Sequence, residues 1–387
     1  MPVWHMSTLD TQSIHAGEPE PRIEGAVSMP VFQTATYTHD EPGASPRYVR
    51  YNNSPNHEAL HEKLAALTET ERALVTASGM AAISSALLGV LEAGDHLVAP
   101  HSLYGGTLAL LNDLLPRFGI THTLVPEDTP EAWTEALQPN TEVLYAEAIT
   151  NPRLEVLNLT GMVDFAEEHD LTTVIDNTFA SPVNLRPASL GFDVVLHSAT
   201  KYLGGHSDVA AGVVAGASKP LDNALRTTKL LGGMLDPHAC GLLHRSLKTL
   251  GVRVRKQNET ARALAAALAD HDGVERVHHP SLSSHPHHDR ARTLLDGFGG
   301  MVGLELAPQT AVDSFFDALS LPLRAPSLGG VETLVTQPVH TSHKDVSPAA
   351  RRAMGITDRF VRVSVGLEGP EDLVADFAAA LDAGLDE

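Results

Sequence analysis

Cysteine is almost absent from this sequence, because Cys240 is the single cysteine among 387 residues. One cysteine cannot form a disulfide within the chain, and it cannot build a metal site rich in cysteine. Both kinds of crosslink are therefore excluded. A chain without disulfides fits a reducing compartment, and we expect a cytoplasmic protein.

Basic residues and long apolar runs are also scarce. The chain has 27 Lys plus Arg against 48 Asp plus Glu, a formal net charge of −21 with neutral histidines. This balance argues against binding to nucleic acid or to a membrane surface. The longest apolar stretches, such as Ala81–Leu91, are well under the roughly 20 residues that span a bilayer. No basic segment leads into an apolar core at the N-terminus, so we predict neither a transmembrane helix nor a secretory signal.

The remaining composition is typical of a folded globular protein, with 43% hydrophobic and 19% charged residues. At roughly 100–200 residues per domain, the length predicts two domains, or one large domain with a smaller one. The first 55 residues are rich in Pro, Gly, Thr and Tyr and lack a sustained periodicity. They are predicted to form an extended arm that packs on something else.

Apolar runs typical of strands alternate with helical patterns from about residue 58 onward. The strand candidates are Ala73–Thr76, His96–Ala99, Thr121–Val125, Val143–Glu147, Thr172–Ile175 and Val194–His197. The helix candidates between them include Ala81–Leu91, Gly106–Phe118 and Leu159–His169. Strands separated by helices predict a mostly parallel sheet covered on both faces, with its chemistry at the carboxyl ends of the strands.

The pattern changes near Leu242, where a long helical stretch begins and runs to about Asp270. Two short strand candidates, Met301–Leu306 and Phe360–Val365, and an amphipathic helix from Pro370 follow. We therefore predict an α/β fold in three parts: an N-terminal arm with inter-subunit contacts (1–55), a large domain (56–245) and a smaller C-terminal α+β domain (246–387).

The segment 172–212 carries the most informative side chains. One apolar strand ends in Asp176, and the next delivers Ser198, Thr200 and Lys201 to the same edge of the sheet. A partly desolvated lysine loses its proton more readily and can attack an aldehyde. Pyridoxal phosphate needs a lysine for its Schiff base, an acid beside its pyridine nitrogen and donors for its phosphate. Lys201, Asp176, and Ser198 with Thr200 are predicted to fill these roles; alternatively, Asp176 caps a turn and Lys201 is an exposed loop residue.

The sequences DNTFASP and HSATKYLGGHSD in this segment resemble the pyridoxal-phosphate-dependent enzymes of cysteine and methionine metabolism, and the resemblance runs from about Thr34 to Leu367. It implies the aspartate aminotransferase-like fold (fold type I) and a small amino-acid substrate. It also implies a homo-oligomer, usually a tetramer built from two intimate dimers.

The resemblance assigns further residues to the cofactor. Gly79 and Met80 match a pair that contacts the phosphate, and they open a helix whose N-terminus suits an anion. Tyr104 matches a tyrosine that stacks on the cofactor ring and takes part in proton transfer. Asn151, in a Glu-x-x-x-Asn-Pro element that starts at Glu147, matches a residue that hydrogen-bonds the phenolic oxygen.

Two elements far apart in the chain complete the predicted site. Tyr48 and Arg50 resemble a Tyr-x-Arg element that reaches the phosphate in the neighbouring subunit, although the following NNSPN departs from the commoner pattern by one residue. The alternative for this segment is an ordinary basic patch. Arg362 matches the arginine that binds the substrate α-carboxylate, and Ser327 lies beside the site. Arginine suits both anions because its forked donors pair with two oxygens.

Other site classes lack their fingerprints. The histidines between His278 and His288 invite a metal site, but no carboxylate or cysteine cluster accompanies them, and we predict none. No GxGxxG follows a strand and no GxxxxGK is present, so dinucleotide and P-loop sites are not predicted.

The expected reaction is γ-elimination on methionine, cystathionine or both, giving 2-oxobutanoate, ammonia and a thiol. Cystathionine-specific members commonly carry a glutamate where this chain has Pro326, which favours a less polar substrate. Methionine γ-lyases commonly carry a cysteine where this chain has Gly106, which argues the other way. Cystathionine γ-synthase chemistry is the main alternative. O-acylhomoserine sulfhydrylase, cystathionine β-lyase and a non-catalytic cofactor-binding protein rank lower.

Overall fold

The structure is a computed structural model that describes residues 7–39, 43, 45–126, 128–341, 351 and 355–385. Within these residues the strands form two separate sheets. The larger sheet has the strand order β1-β7-β6-β5-β4-β2-β3. Its strands are β1 (Arg72–Thr76), β2 (His96–Pro100), β3 (Thr121–Val125), β4 (Thr141–Glu147), β5 (Thr172–Asp176), β6 (Val194–Ser198) and β7 (Gly212–Gly216).

The larger sheet is mostly parallel, as the alternating pattern predicts. Only β7, among the described strands of this sheet, runs antiparallel to its neighbours β1 and β6. Both faces are covered: Leu74 packs into one apolar cluster and the next residue, Val75, into another on the opposite face. A mostly parallel sheet buried on both sides accounts for strands that read as continuous apolar runs.

The helices lie on both faces of the larger sheet, along the chain that connects it to the second sheet, and against the second sheet. They are α1 (Leu9–His15), α2 (Pro55–Thr68), α3 (Gly79–Val90), α4 (Gly105–Ala109), α5 (Pro130–Ala136), α6 (Leu159–Glu168), α7 (Ser181–Asn184), α8 (Ser218–Leu231), α9 (Pro237–Leu247), α10 (Leu250–Leu268), α11 (His288–Leu294), α12 (Val312–Ala318) and α13 (Pro370–Leu385). Among the described helices, none is both long and apolar enough to cross a membrane.

The starts of the main helices follow from local sequence. Ser78 precedes α3 and its hydroxyl accepts a hydrogen bond from the Ala81 amide. Asp236 precedes α9 and its carboxylate accepts bonds from two amides of the first turn. These side chains satisfy amide groups that have no partner inside the helix. The cap at Ser78 fixes the first turn of α3 at the carboxyl ends of the parallel strands, where the sequence predicts the active site.

The second sheet has the strand order β10-β11-β12-β9-β8 and is antiparallel except for the β10–β11 pair. Its strands are β8 (Val274–His278), β9 (Met301–Leu306), β10 (Leu323–Arg324), β11 (Leu334–Thr336) and β12 (Phe360–Ser364). Val361 and Val363 pack into the core formed with α10, α12 and α13. Because side chains alternate along a strand, Arg362 lies on the other face of the sheet.

Three local features differ from the sequence prediction. The single helix expected from Leu242 to about Asp270 is two helices, α9 and α10, with a non-helical Thr249 between them. The helix expected at 106–118 changes its hydrogen bonding twice along its length, and Pro116, which has no amide hydrogen, lies in the final 3-10 turn. Strands β7, β8, β10 and β11 were not predicted. The division into an arm and two domains stays a prediction.

The N-terminal arm contacts the rest of this chain through charged groups. The Glu18 carboxylate pairs with Arg22 inside the arm and with Lys248, which follows α9. Lys63 on α2 donates a hydrogen bond to the Ser13 carbonyl over 2.8 Å. Contacts of the arm with another subunit stay a prediction, and residues 1–6, 40–42 and 44 of the predicted arm lie outside the described residues.

Candidate active site

A cavity of about 610 Å³ opens at the carboxyl ends of β4, β5 and β6. Its lining combines residues of the larger sheet with residues near β10 and β12 of the second sheet. The described residues that line it are Ser78, Gly79, Met80, Ile83, Tyr104, Glu147, Ile149, Asn151, Asp176, Thr178, Phe179, Ser198, Thr200, Lys201, Pro326, Ser327, Leu328, His340, Thr341 and Arg362. The structure thus brings ten of the twelve predicted site residues into one cavity.

Lys201 presents a partly buried amine to this cavity. Its Nζ donates a hydrogen bond to the Ser327 hydroxyl over 2.9 Å. Burial, and to a lesser degree the charge of Arg362, lower the pKa of Lys201 to about 8. About a tenth of the amine is therefore neutral at pH 7, far more than for an ordinary lysine, and the neutral form is the one that acts as a nucleophile or a base.

Arg362 is buried, and both arms of its guanidinium are held. One arm donates to the Asn151 amide oxygen over 3.1 Å, and the other donates to the Ser327 carbonyl over 3.0 Å. Burial lowers the pKa of Arg362 to about 10, so the group stays charged at neutral pH. Its present partners are neutral oxygens, and a carboxylate would make stronger, charge-assisted bonds.

Ser327 connects the amine and the guanidinium. Its hydroxyl accepts the bond from Lys201 and its carbonyl accepts the bond from Arg362. Its backbone φ is +103°, in the left-handed region that residues with a side chain rarely adopt. Such a conformation persists only where the surroundings hold it, and here it directs two polar groups of one residue toward two cations.

Two carboxyl groups lie at the ends of adjacent strands. Asp176 ends β5, and its Oδ1 accepts the Thr178 amide over 2.9 Å. Glu147 ends β4, and its Oε1 accepts the Tyr104 amide over 2.6 Å. Burial is the main cause that raises the pKa of each group, that of Glu147 to about 8. A cationic ring nitrogen beside Asp176 would stabilise its anion.

The N-terminus of α3 and Ser198 meet at another part of the cavity. A Cβ added to Gly79 would come within 2.8 Å of the Ser198 Cβ, so only glycine allows this approach. The amides of the first turn of α3 and the Ser198 hydroxyl can thus face one anion. The Thr200 hydroxyl both donates to and accepts from the Ala211 backbone, which fixes its position beside them.

Tyr104 is 45% exposed and covers part of the cavity. The Glu147 carboxyl group accepts a hydrogen bond from the backbone amide of Tyr104, and the Tyr104 ring lies against Gly106. A Cβ added to Gly106 would come within 2.6 Å of the Tyr104 ring and 2.8 Å of the Met80 sulfur. The ring and the thioether therefore occupy the space that any side chain at position 106 would need.

Tyr48 and Arg50, the other two predicted residues, do not line this cavity. The Arg50 guanidinium donates to the Lys229 carbonyl over 2.9 Å and lies 5.1 Å from the centre of the Tyr51 ring. Tyr48 is 37% exposed. Their predicted contact with the phosphate in a neighbouring subunit stays a prediction.

The histidine-rich segment contacts other parts of the chain. His278 pairs with Glu305, His279 with Ser281, and His287 accepts the Val156 amide over 3.1 Å. Within the residues that the structure describes, no group of three or more candidate ligands could hold a metal ion. Cys240 is buried, which raises the pKa of its thiol and disfavours the thiolate.

Sequence reasoning missed several cavity residues. Thr178 and Phe179 lie in the quoted DNTFASP motif but received no role, and Glu147 was quoted only as the start of its element. Glu147 could have been identified in the same way as Asp176, because it is the last residue of an apolar strand. His340 and Thr341 follow no pattern that marks them, because folding alone brings that loop to the cavity.

The residues present fit pyridoxal phosphate. A buried amine with a lowered pKa, a buried carboxyl group and a helix N-terminus made accessible by Gly79 supply the three kinds of contact that the cofactor needs. The buried guanidinium of Arg362 lines the same cavity and is a suitable partner for an amino-acid carboxylate. The fold and this cavity define a pyridoxal-phosphate-dependent enzyme.

Comparison with known proteins gives the family. A family model described as Cys/Met metabolism PLP-dependent enzyme matches residues 10–382. The chain belongs to this family, and pyridoxal 5'-phosphate is its cofactor. The predicted family, fold class and cofactor are confirmed.

Similar proteins differ in their activities. The chain is 39% identical over 375 residues to a cystathionine gamma-lyase of Bacillus subtilis (strain 168), covering 96% of this chain and 98% of that protein. It is 38% identical over 380 residues to a cystathionine beta-lyase of Lactococcus lactis subsp. cremoris (strain MG1363), covering 97% and 100%. A solved cystathionine gamma synthase from Xanthomonas oryzae pv. oryzae, with aminoacrylate and cysteine, matches at 35% identity and a TM-score of 0.93, covering 98% of each chain. The family therefore establishes chemistry on sulfur amino acids and leaves the particular reaction open.

Proposed function

We propose that this enzyme catalyses γ-elimination on methionine, cystathionine or both, releasing a thiol, ammonia and 2-oxobutanoate. The observation that carries the proposal is the Ser327 bridge, which places the Lys201 amine and the Arg362 guanidinium on two atoms of one residue. An α-amino acid held by its carboxylate at Arg362 thus has its Cα near a base. This arrangement suits removal and return of protons along the substrate chain.

Arg362 would bind the substrate through its α-carboxylate. The guanidinium is already oriented by Asn151 and Ser327, so binding does not require ordering of a free side chain. The carboxylate would accept the N–H groups that these two bonds leave over, and its charge makes such bonds strong. Asn151 lies on the larger-sheet side and Arg362 on β12, so their bond also links the two halves of the cavity.

Lys201 would move the protons. Pyridoxal phosphate, when bound, supplies the electron sink that makes the Cα proton removable. The lowered pKa of Lys201 lets its amine accept a proton near neutral pH and give it up again. Ser327 holds the Lys201 amine close to the Arg362 guanidinium. The Tyr104 phenol borders the same cavity and can protonate the departing thiolate.

The lining favours a side chain without a distal charge. Pro326 lies next to Ser327, where a carboxylate would otherwise meet an ammonium group. Among the described lining residues the carboxyl groups are Glu147 and Asp176, both at the strand ends and both engaged by backbone amides. Apolar Leu328 and Pro326 suit a thioether such as that of methionine.

The alternative with specific support is γ-replacement, as in cystathionine γ-synthase. The Xanthomonas structure described above bears that name and matches 98% of this chain. Lys201, Tyr104 and Arg362 would serve both outcomes, since elimination and replacement share their early proton transfers. The branch depends on which nucleophile can enter the cavity. The O-acylhomoserine sulfhydrylase and β-lyase reactions remain lower-ranked alternatives.

Product analysis separates these reactions. The purified holoenzyme is incubated with methionine, with cystathionine and with O-succinylhomoserine, each with and without cysteine. We expect 2-oxobutanoate from methionine or cystathionine without added thiol, and none from the Lys201→Ala variant. Formation of a thioether alone, or of pyruvate alone from cystathionine, would overturn the γ-lyase assignment in favour of a synthase or a β-lyase.

A further inference from the structure

Two buried carboxyl groups lie side by side at the cavity. Glu147 and Asp176 are the last residues of β4 and β5, and they are register partners in these parallel strands. Both line the cavity, and Glu147 is only 5% exposed. In the part of the chain that the structure describes, neither forms an ion pair with a Lys, Arg or His side chain. Two adjacent anions without a cation repel each other, so both cannot be ionised at low cost.

The hydrogen bonds of the two groups differ. Asp176 is stabilised as an anion by the Thr178 amide and by the Thr178 side chain. Glu147 accepts a single amide, that of Tyr104, at Oε1. A neutral carboxylic acid is compatible with this bond, because its carbonyl oxygen accepts the amide while Oε2 carries the proton. Of the pair, Glu147 is thus the better place for a proton.

We propose that Glu147 is a protonated positioning residue, which fixes the Tyr104 backbone and leaves Asp176 as the single carboxylate anion of the cavity. The proton stays on Oε2 of Glu147 throughout turnover. The bond from Glu147 then fixes Tyr104 at the start of α4. The cofactor faces one negative charge, that of Asp176. Ionisation of Glu147 would place a second anion beside Asp176 and change the charge of the cavity.

The groups that face Glu147 support this charge state. Burial first, and the neighbouring Asp176 second, raise the pKa of Glu147 to about 8. Tyr145 lies two residues earlier on the same face of β4, and burial raises its pKa too, so it stays neutral. The hydrogen bond from the Tyr104 amide lowers the pKa of Glu147, but it is the smallest of the three effects. Glu147 therefore holds its proton at neutral pH and loses it as the pH rises.

The test uses the holoenzyme and isosteric variants. Glu147→Gln keeps the acceptor for the Tyr104 amide and carries no charge, and Glu147→Ala removes the acceptor. Glu142→Gln is the matched control, because Glu142 is an exposed residue of the same strand. Each variant is measured for cofactor absorbance, for kcat and KM across pH, and for the infrared carbonyl stretch of a protonated carboxylic acid.

We expect Glu147→Gln to keep kcat within about threefold at neutral pH and to lack the alkaline decline in kcat that we expect of the wild type, whereas Glu147→Ala loses at least roughly tenfold in kcat. The carboxylic acid band is expected in the wild type and in Glu142→Gln, and it disappears in Glu147→Gln. The infrared readout does not depend on which sulfur amino acid is the substrate, so it distinguishes failure of this proposal from failure of the γ-lyase assignment.

Two results would overturn the proposal. One is a Glu147→Gln holoenzyme with normal cofactor absorbance and a loss of kcat as large as that of Glu147→Ala, because this would require an ionised glutamate. The other is a wild type without the carboxylic acid band. If Glu147→Gln does not fold, carbon-13 labelling of the glutamate side chains in the wild type decides: a band that shifts with the label supports the proposal, and its absence or insensitivity to the label contradicts it.

Discussion

Gly106 determines how closely the Tyr104 ring can approach the cavity wall. A side chain at position 106 requires the Tyr104 ring and the Met80 sulfur to move, because these groups occupy the space of a Cβ. The sequence comparison raised Gly106 as a departure from a cysteine. The structure adds that, in this chain, a cysteine there would displace Tyr104. We therefore predict that Gly106 influences the reaction through the position of Tyr104.

We predict that Gly106→Ala lowers kcat by roughly 10- to 100-fold, because it moves the Tyr104 ring by a fraction of an ångström or more. Cofactor absorbance and thermal unfolding should stay near those of the wild type. Gly233→Ala is the control, since a Cβ at position 233 meets its nearest neighbour at an ordinary 3.4 Å. An unchanged kcat in Gly106→Ala would show that the ring position is not limiting.

At the residue scale, the sequence indicated much of the cavity. Lys201, Asp176 and Ser198 were found because polar residues at the ends of apolar strands meet at one sheet edge. Their proposed roles still await the experiments above. Glu147 received no role, because its importance comes from its neighbour: the chain alone does not tell which strand lies next to β5 or in what register. That information exists only once the strands are paired.

At the scale of elements, the connection after β4 is held from outside. Residues 149–156 turn back on themselves through a bridge between Ile149 and Val156. The Val156 amide donates to Nδ1 of His287, and the Val156 carbonyl accepts a bond from Arg290 over 2.8 Å. The histidine-rich segment thus supports the turn that carries Asn151, the partner of Arg362.

We predict that His287→Leu raises the KM for the amino-acid substrate by roughly tenfold with a smaller change in kcat, because the turn loosens and Asn151 no longer orients the Arg362 clamp. His287→Asn should retain the wild-type KM, since its side-chain oxygen can accept the Val156 amide. His238→Leu, at an exposed position of α9, is the control.

The pH dependence gives a second check on His287. Burial lowers its pKa, with a further contribution from Arg290, so Nδ1 stays an acceptor at neutral pH. Protonation in acid turns Nδ1 into a donor and breaks the bond. The rise of KM in acid should therefore be weaker in His287→Asn than in the wild type. Equal KM values for the Leu and Asn variants at all pH values would contradict this role.

Elements were predictable where an apolar run had clear ends. The six parallel-sheet strand candidates agree with β1 to β6 within two residues at each end. The break between α9 and α10 was not predictable, because neither Lys248 nor Thr249 is a helix breaker by composition. Both helices bury residues on either side of the break, and Thr249 alone departs clearly from helical dihedrals.

At the scale of the whole molecule, the arrangement of Tyr48 and Arg50 is consistent with a site completed by a second copy. Arg50 lies on the surface against Lys229, and the next two residues of α8, Leu230 and Leu231, are 75% and 62% exposed. Large exposed apolar side chains beside a cation are typical of contact surfaces. We propose that this surface faces the cavity of a partner subunit, as the family resemblance implies.

Mixing two inactive variants tests this. A mixed dimer of Arg50→Ala and Lys201→Ala contains one site with both native residues and one with neither, if Arg50 acts across the interface. With random re-association, half of the dimers are mixed, and we expect roughly a quarter of the wild-type activity. Arg47→Ala, which removes a surface pair with Glu58, should be active alone. No recovery in dimers verified as mixed would place Arg50 outside the partner's site.

The Arg362–Asn151 bond has a consequence for biosynthesis. Its two residues are 211 positions apart in the chain, and Lys201 and Ser327 are 126 apart. A ribosome finishes the larger sheet, including its lysine, long before it makes the arginine. If Arg362 selects amino acids as proposed, a nascent chain holds the Lys201 amine before it holds the selecting group, and selectivity is the last property that the protein acquires.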